Sequence, residues 1–211
     1  MILLRNVGKS YRNQVVFTNV SHAFERGKIH GIIGRNGSGK TTMLRLICGI
    51  AVPDKGEIFV DGRPVGGAKA EFPKDIGILI ENAGFIGQCS GFRNLQYLAS
   101  IRNEIDDEEI CKAMEMVGLD PDSNKWVSRY SLGMKQRLGI AQAIMEHPKL
   151  LLLDEPMNGL DKQGVEDMRV LLTALRNEGV TVLFASHNEQ DVELLCDTVI
   201  ELDHGQLTVI R

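Results

Sequence analysis

Gly34-Arg35-Asn36-Gly37-Ser38-Gly39-Lys40-Thr41-Thr42 carries more chemistry than any other stretch of this 211-residue chain. From Gly34 to Thr41 it fits the pattern G-x-x-x-x-G-K-[ST]. Glycines at these spacings let successive backbone N–H groups turn inward around phosphate oxygens, and a helix starting at the lysine adds its partial positive charge. Lys40 would reach the β- and γ-phosphates, and the Thr41 hydroxyl would take one place on Mg²⁺. The flanks suit the motif: Lys28 to Ile33 reads as a buried strand, and Thr42 to Ile47 has apolar residues at helical spacing. The residues therefore imply binding of a nucleoside triphosphate together with Mg²⁺.

Triphosphate hydrolysis also needs an acid on the metal and a group to position the attacking water. Leu150-Leu151-Leu152-Leu153-Asp154-Glu155 supplies both in order. Asp154 falls at the C-terminal end of an apolar strand, where α/β sites form, and would hold Mg²⁺ through water. Glu155 would orient or deprotonate the nucleophile. A strand ending in an acidic turn would read the same in isolation; the upstream phosphate loop decides between the two. His187 follows the strand Thr181 to Phe184 and should share that edge, where it could donate to the γ-phosphate. Lys40, Glu155 and His187 are thus the candidate catalytic residues. His22, His30, His147 and His204 have no such companions and are read as structural.

The elements that must position these groups alternate between strand and helix. Strands are expected at Ile2 to Val7, Val15 to Phe24, Lys28 to Ile33, Glu57 to Val60, Ile76 to Ile80, Lys149 to Leu153, Val180 to Ala185 and Thr198 to Leu202, the last of the core. A polar turn at Lys9 to Gln14 would hold Tyr11. Helices are expected from the phosphate loop to about Gly49, then at Phe92 to Ile101, Asp106 to Val117, Ser131 to Met145, Lys162 to Asn177 and Glu189 to Cys196. Strand signals lapse from Asn82 to Trp126, so a helical subdomain of about residues 82–126 is inserted in a core of 1–81 and 127–211. The fold class is α/β, with a mainly parallel sheet covered on both faces.

Composition narrows the partners. The formal net charge is −4 and the basic residues are scattered, so no nucleic-acid partner is expected. No apolar run approaches the ~20 residues needed to cross a bilayer, and Met1-Ile2-Leu3-Leu4-Arg5 lacks the features of a signal peptide. Cys48, Cys89, Cys111 and Cys196 form no C-x-x-C pair and read as reduced thiols. A cytosolic location is the expectation.

The order and spacing of Tyr11, the loop Gly34 to Thr42, Tyr130-Ser131-Leu132-Gly133-Met134-Lys135-Gln136-Arg137, Asp154-Glu155-Pro156, Asn158-Gly159-Leu160-Asp161 and His187 resemble ABC ATPase domains over nearly the whole chain. The segment at Ser131 departs from the family's L-S-G-G-Q, with Leu132 and Met134 in place of a glycine and a glutamine. This variant, with D-E-P-x-N-G-L-D, looks like the ATPases of bacterial bacitracin and lantibiotic peptide exporters. The resemblance implies one ABC ATPase domain spanning 1–211: a phosphate-loop core, an N-terminal antiparallel β part and the helical insertion.

It also implies a head-to-tail pair of ATPase domains, the same chain twice or a sister subunit. Each ATP would lie between one phosphate loop and the partner's Ser131 to Met134, contacted by Ser131 and the Gly133 backbone. Asp161 would link the two sites. Tyr11 would stack on adenine, or else be an ordinary turn tyrosine. A separate membrane-spanning permease would receive the work, placing the chain at the inner face of the cell membrane; the face from Glu81 to Asn94, with Phe85, Phe92 and Leu95, is the candidate contact, or else these three simply pack the helical block. Where the family has glutamine after the strand Ile76 to Ile80, this chain has Glu81, read as a metal or water ligand; Gln88 would serve only with a register shift. The competing readings are a soluble ABC ATPase acting on nucleic acid or ribosomes, an exporter of lipid or polysaccharide, and a small kinase, which conflicts with the Ser131 segment.

Overall fold

The structure, a computed structural model, describes residues 2–12, 14–67, 72–81 and 83–211. Met1 and Asn82, which bound two of the expected segments, lie outside the described residues.

The main sheet has six strands in the order β10-β9-β3-β8-β7-β6. They are β3 (Ile29–Ile33), β6 (Ile76–Leu79), β7 (Leu150–Asp154), β8 (Thr181–Ala185), β9 (Thr198–Asp203) and β10 (Gln206–Val209). All neighbours are parallel except β9 and β10. A parallel strand buried on both faces reads as an unbroken apolar run, and the four leucines of β7 divide strictly by parity. Leu150 and Leu152 enter one core with α1 (Lys40–Ile47). Leu151 and Leu153 enter the other with α4 (Leu132–Ile144) and α5 (Lys162–Asn177). The first core is closed by a four-stranded antiparallel sheet, β2-β1-β4-β5. Its strands are β1 (Ile2–Tyr11), β2 (Gln14–Phe24), β4 (Lys55–Val60) and β5 (Arg63–Val65).

Two helices, α2 (Gly91–Arg102) and α3 (Asp107–Met116), pack together and onto α4. Asp106 opens α3 with a full capping box, accepting from the Glu109 amide while the Glu109 carboxylate accepts from its own. A last short helix, α6 (Glu189–Leu195), lies against β3.

The structure departs from the sequence expectations in three places. β1 and β2 run through most of the expected polar turn, so Tyr11 is the last residue of β1, paired with Gln14, instead of a turn residue. Arg63–Val65 forms β5 after the Asp61-Gly62 turn, where both residues have positive φ as tight hairpins require. Thr198–Asp203 is not the last strand: His204 and Gly205, again both at positive φ, return the chain as β10. These short strands are half exposed, so their apolar content is too low to announce them.

Candidate active site

Three parallel neighbours, β3, β8 and β7, end at one edge and deliver the phosphate loop, His187 and Asp154-Glu155 to it. Leu153 pairs with Phe184 and Asp154 with Ala185, so the chain leaves both strands at one level. The Glu155 amide continues this by donating to Ala185 O at 2.9 Å.

In the loop, Lys40 Nζ donates to Gly34 O at 2.8 Å and to Arg35 O at 3.3 Å, so its ammonium spans the loop's interior. Arg35, Asn36 and Gly37 are exposed. Gly39 has φ 105°, and a Cβ there would strike Val16 and Phe17 side chains; only glycine suits that position. Ser38 Oγ is buried and has no hydrogen-bond partner among the described residues. An orphaned buried hydroxyl is costly unless something meets it, and here it lies in the loop two residues before the buried Lys40. The site fits a phosphate. Thr42 is half-buried at the start of α1.

Thr41 Oγ1 donates to Asp154 Oδ2 at 2.7 Å, joining two hard oxygen donors of the kind Mg²⁺ takes. Burial pushes the Asp154 carboxyl above its ordinary range. The Thr41 hydrogen bond and the Lys40 charge oppose that rise, and the Glu155 and Glu81 charges add to it. A divalent cation there would relieve the same crowding. Among the described residues no three His, Cys, Asp or Glu cluster as a metal site. Two protein oxygens with the remainder from phosphate and water is the usual Mg²⁺ pattern.

Glu155 sits at φ 50°, a left-handed conformation that costs a non-glycine residue about 1–3 kcal/mol and persists only where its surroundings hold it. Its Oε2 lies 2.8 Å from His187 Nδ1 and accepts from the His187 amide at 3.4 Å. Lys40, Thr41, Asp154, Glu155 and His187 are therefore brought together as the spacing predicts.

Glu81 follows β6, also at positive φ, with Oε1 2.5 Å from Arg45 NH2. Arg45 stands one helical turn beyond Thr41, on the same face of α1. Sequence reasoning gave it no role. The Glu81 carboxylate is thus ion-paired from inside the chain.

Ser131 to Met134 take a different position. Ser131 caps α4 by accepting from the Met134 amide at 3.2 Å, and Leu132 is 64% exposed. Among the described residues none of their hydrogen bonds reaches this chain's phosphate loop; they face the segment after Glu155 instead. A Cβ on Gly133 would lie 2.8 Å from Gly159 O, and one on Gly159 would strike the Leu132 side chain. Asp161 caps α5, its Oδ1 accepting from the Gly164 amide at 2.8 Å. Tyr11 is 44% exposed, with Lys9 Nζ 5.0 Å from its ring centre.

On the expected contact face, the packing alternative holds for the three apolar residues. Leu95 is fully buried in the core, and Phe85 and Phe92 are half-buried against it, so all three hold the helical part together. Exposed apolar surface lies nearby on Ile50, Ile86, Tyr97 and Ile101.

The ABC transporter family profile matches residues 17–158. The ABC transporter ATP-binding protein YybJ of Bacillus subtilis is 41% identical, the match covering 98% of this chain and 94% of that protein. The bacitracin transport ATP-binding protein BcrA of Enterococcus faecalis is 38% identical over 98% of this chain and 68% of its own length. The lantibiotic transport ATP-binding protein SrtF of Streptococcus pyogenes is 33% identical over 98% and 89%. A solved dimeric bacterial ABC transporter cassette superposes with a TM-score of 0.88 at 25% identity, covering 100% of this chain and 99% of that one. No helix among the described residues is long and apolar enough to cross a membrane. The chain belongs to the ABC transporter family, as an ATP-binding subunit and an ATPase.

Proposed function

We propose that this chain powers a bacterial exporter of the bacitracin or lantibiotic peptide class, acting through a separate membrane permease at the inner face of the membrane. The cargo reading rests on the likeness to BcrA, a bacitracin transport protein, and SrtF, a lantibiotic transport protein, and specificity itself would lie in the permease. The single observation that carries the chemistry is the convergence of Lys40, the Thr41–Asp154 pair and the Glu155–His187 pair on one sheet edge.

We read 1–211 as one ABC ATPase domain, with a helical part at about 82–126. ATP would lie on the loop Gly34 to Thr42, its adenine against the Tyr11 ring. The loop amides, Ser38 Oγ and Lys40 would hold the β- and γ-phosphates. Mg²⁺, when bound by Thr41 and Asp154, would neutralise phosphate charge as a Lewis acid. Glu155 would take the proton of the attacking water while His187, fixed by the same carboxylate, orients the γ-phosphate end. The bond from the γ-phosphorus to the bridging oxygen then breaks, giving ADP and phosphate. For Glu81 to serve the metal or the water it must leave or share Arg45.

Ser131 to Met134 make no hydrogen bond to their own loop among the described residues, which suits capping the nucleotide of a second copy or a sister subunit, with Asp161 near that seam. A cleft of about 660 Å³, lined in part by Arg45, Ile50, Glu81, Phe85 and Leu98, is the proposed seat for the permease. That seat would put Glu81 between nucleotide and partner.

Glu155→Gln tests the reading. It keeps shape and removes the base, so turnover should fall at least a hundredfold while ATP stays bound and dimer accumulates in sedimentation. Normal hydrolysis by this variant would remove Glu155 from the role. Lys40→Ala should weaken nucleotide binding itself, read by fluorescence of a labelled ATP.

A further inference from the structure

Glu155 stands in a backbone conformation that its side chain does not favour, so something must hold it there. Its own amide is fixed to β8. On the carbonyl side the restraint comes from α4. Gln136 Nε2 donates to Glu155 O and to Pro156 O, both at 3.1 Å. The Asn158 amide also donates to Glu155 O at 3.1 Å, closing the turn that follows. One side-chain amide thus grips two consecutive carbonyls that flank the left-handed residue, and an amide carries the two donors this requires.

The other end of the same contact is Ser131. Gln136 lies just over one turn along the helix that Ser131 caps. Leu132 and Gly133 press on Gly159, three residues beyond Pro156. The segment 155–159 is therefore clamped to α4 at two points, polar at Gln136 and apolar at Leu132.

We infer that Gln136 is a positioning residue: its side-chain amide holds Glu155 in its working conformation and locks it to the α4 segment that caps the second subunit's nucleotide. This rests on the reading of Glu155 and of the paired sites given above. In the pair, each chain caps one ATP with Ser131 and hydrolyses the other with Glu155. Gln136 joins those two duties within a single chain, so movement of α4 on capping would be felt at the acid.

Two variants of the full chain separate this from a general loss of structure. Gln136→Met keeps length and shape but has no donor; Gln136→Glu keeps length and sets acceptors against the two carbonyls. Both should lower kcat at least tenfold, leave labelled-ATP affinity within about twofold, and bring the Hill coefficient for ATP toward one. Near-normal kcat in Gln136→Met would overturn the inference. So would a parallel fall of kcat, ATP affinity and melting temperature, which marks a structural role only. Glu155→Gln is measured alongside. If it hydrolyses normally, the reading of Glu155 fails; if it is inactive while Gln136→Met turns over normally, only the role of Gln136 fails.

Discussion

His30 shows how a side chain outside the site sets the conditions in which the site exists. It is 2% exposed on β3, one strand residue before Gly31. Its ring nitrogens meet Thr198 Oγ1 at 2.6 Å and Glu25 O at 2.8 Å, and its ring packs edge-on against Phe24. Burial lowers its pKa from the ordinary 6.5, outweighing the opposing effect of the Glu25 carbonyl. The fold therefore keeps the imidazole neutral, while the unfolded chain takes up a proton first as pH drops. Stability should be flat above about pH 6.5 and fall below it, by up to about 1.4 kcal/mol per pH unit, until the folded state protonates too. Melting temperatures from pH 7.5 to 5 read the slope, and His30→Gln, which can still hydrogen-bond, should flatten it. No change of slope in that variant would assign the acid sensitivity elsewhere. Most candidate site residues were plain in the sequence at this scale because they lie in contiguous motifs, while His187 was read only through its companions. Arg45 was not plain: it meets Glu81 across 36 positions, and nothing local marks the pair.

Among the elements, the tight crossing of α4 over β6 aims the signature end of the helix. The approach needs glycine on both sides. A Cβ on Gly77 would fall 1.9 Å from Ala143 O, and one on Gly139 would lie 2.8 Å from a Leu79 methyl. Backbone cannot give way as a flexible side chain can, so Gly77→Ala should cost about 3 kcal/mol, the upper part of the range for overpacking. The expected result is a lower urea midpoint with an unchanged slope. Gly139→Ala should cost less, because a leucine rotamer can adjust. Strong periodicity and buried leucine runs made these elements visible in the chain. The β5 and β10 strands escaped notice because half-exposed hairpin strands lack the apolar content that sets a strand apart.

For the whole molecule, the proposed pairing would bring the Ser131 segment of one chain to the nucleotide of another. Leu132 offers a clean test at the surface. It is the first residue of α4, where an acidic side chain suits the helix dipole. Leu132→Asp should therefore leave monomeric ATP binding near normal, with a melting temperature lowered only by the lost apolar contact to Gly159. It would also set a carboxylate against the second subunit's triphosphate. In a Glu155→Gln background it should abolish the ATP-dependent dimer seen by sedimentation. Persistence of that dimer would place the seam away from Ser131 to Met134.

The sequence by itself determined the phosphate loop, the Asp154-Glu155 pair, the α/β alternation and the family, because each is written in neighbouring residues whose spacing matches one strand, one turn or one helix. Only the tertiary structure decided that Glu155 is left-handed and gripped by Gln136, that Glu81 is neutralised by Arg45, and that Leu95 is core and not contact surface. Those outcomes depend on groups distant in the chain meeting at particular angles. That is a property of how β6, β7, α1 and α4 pack, and no local pattern of residue types encodes it.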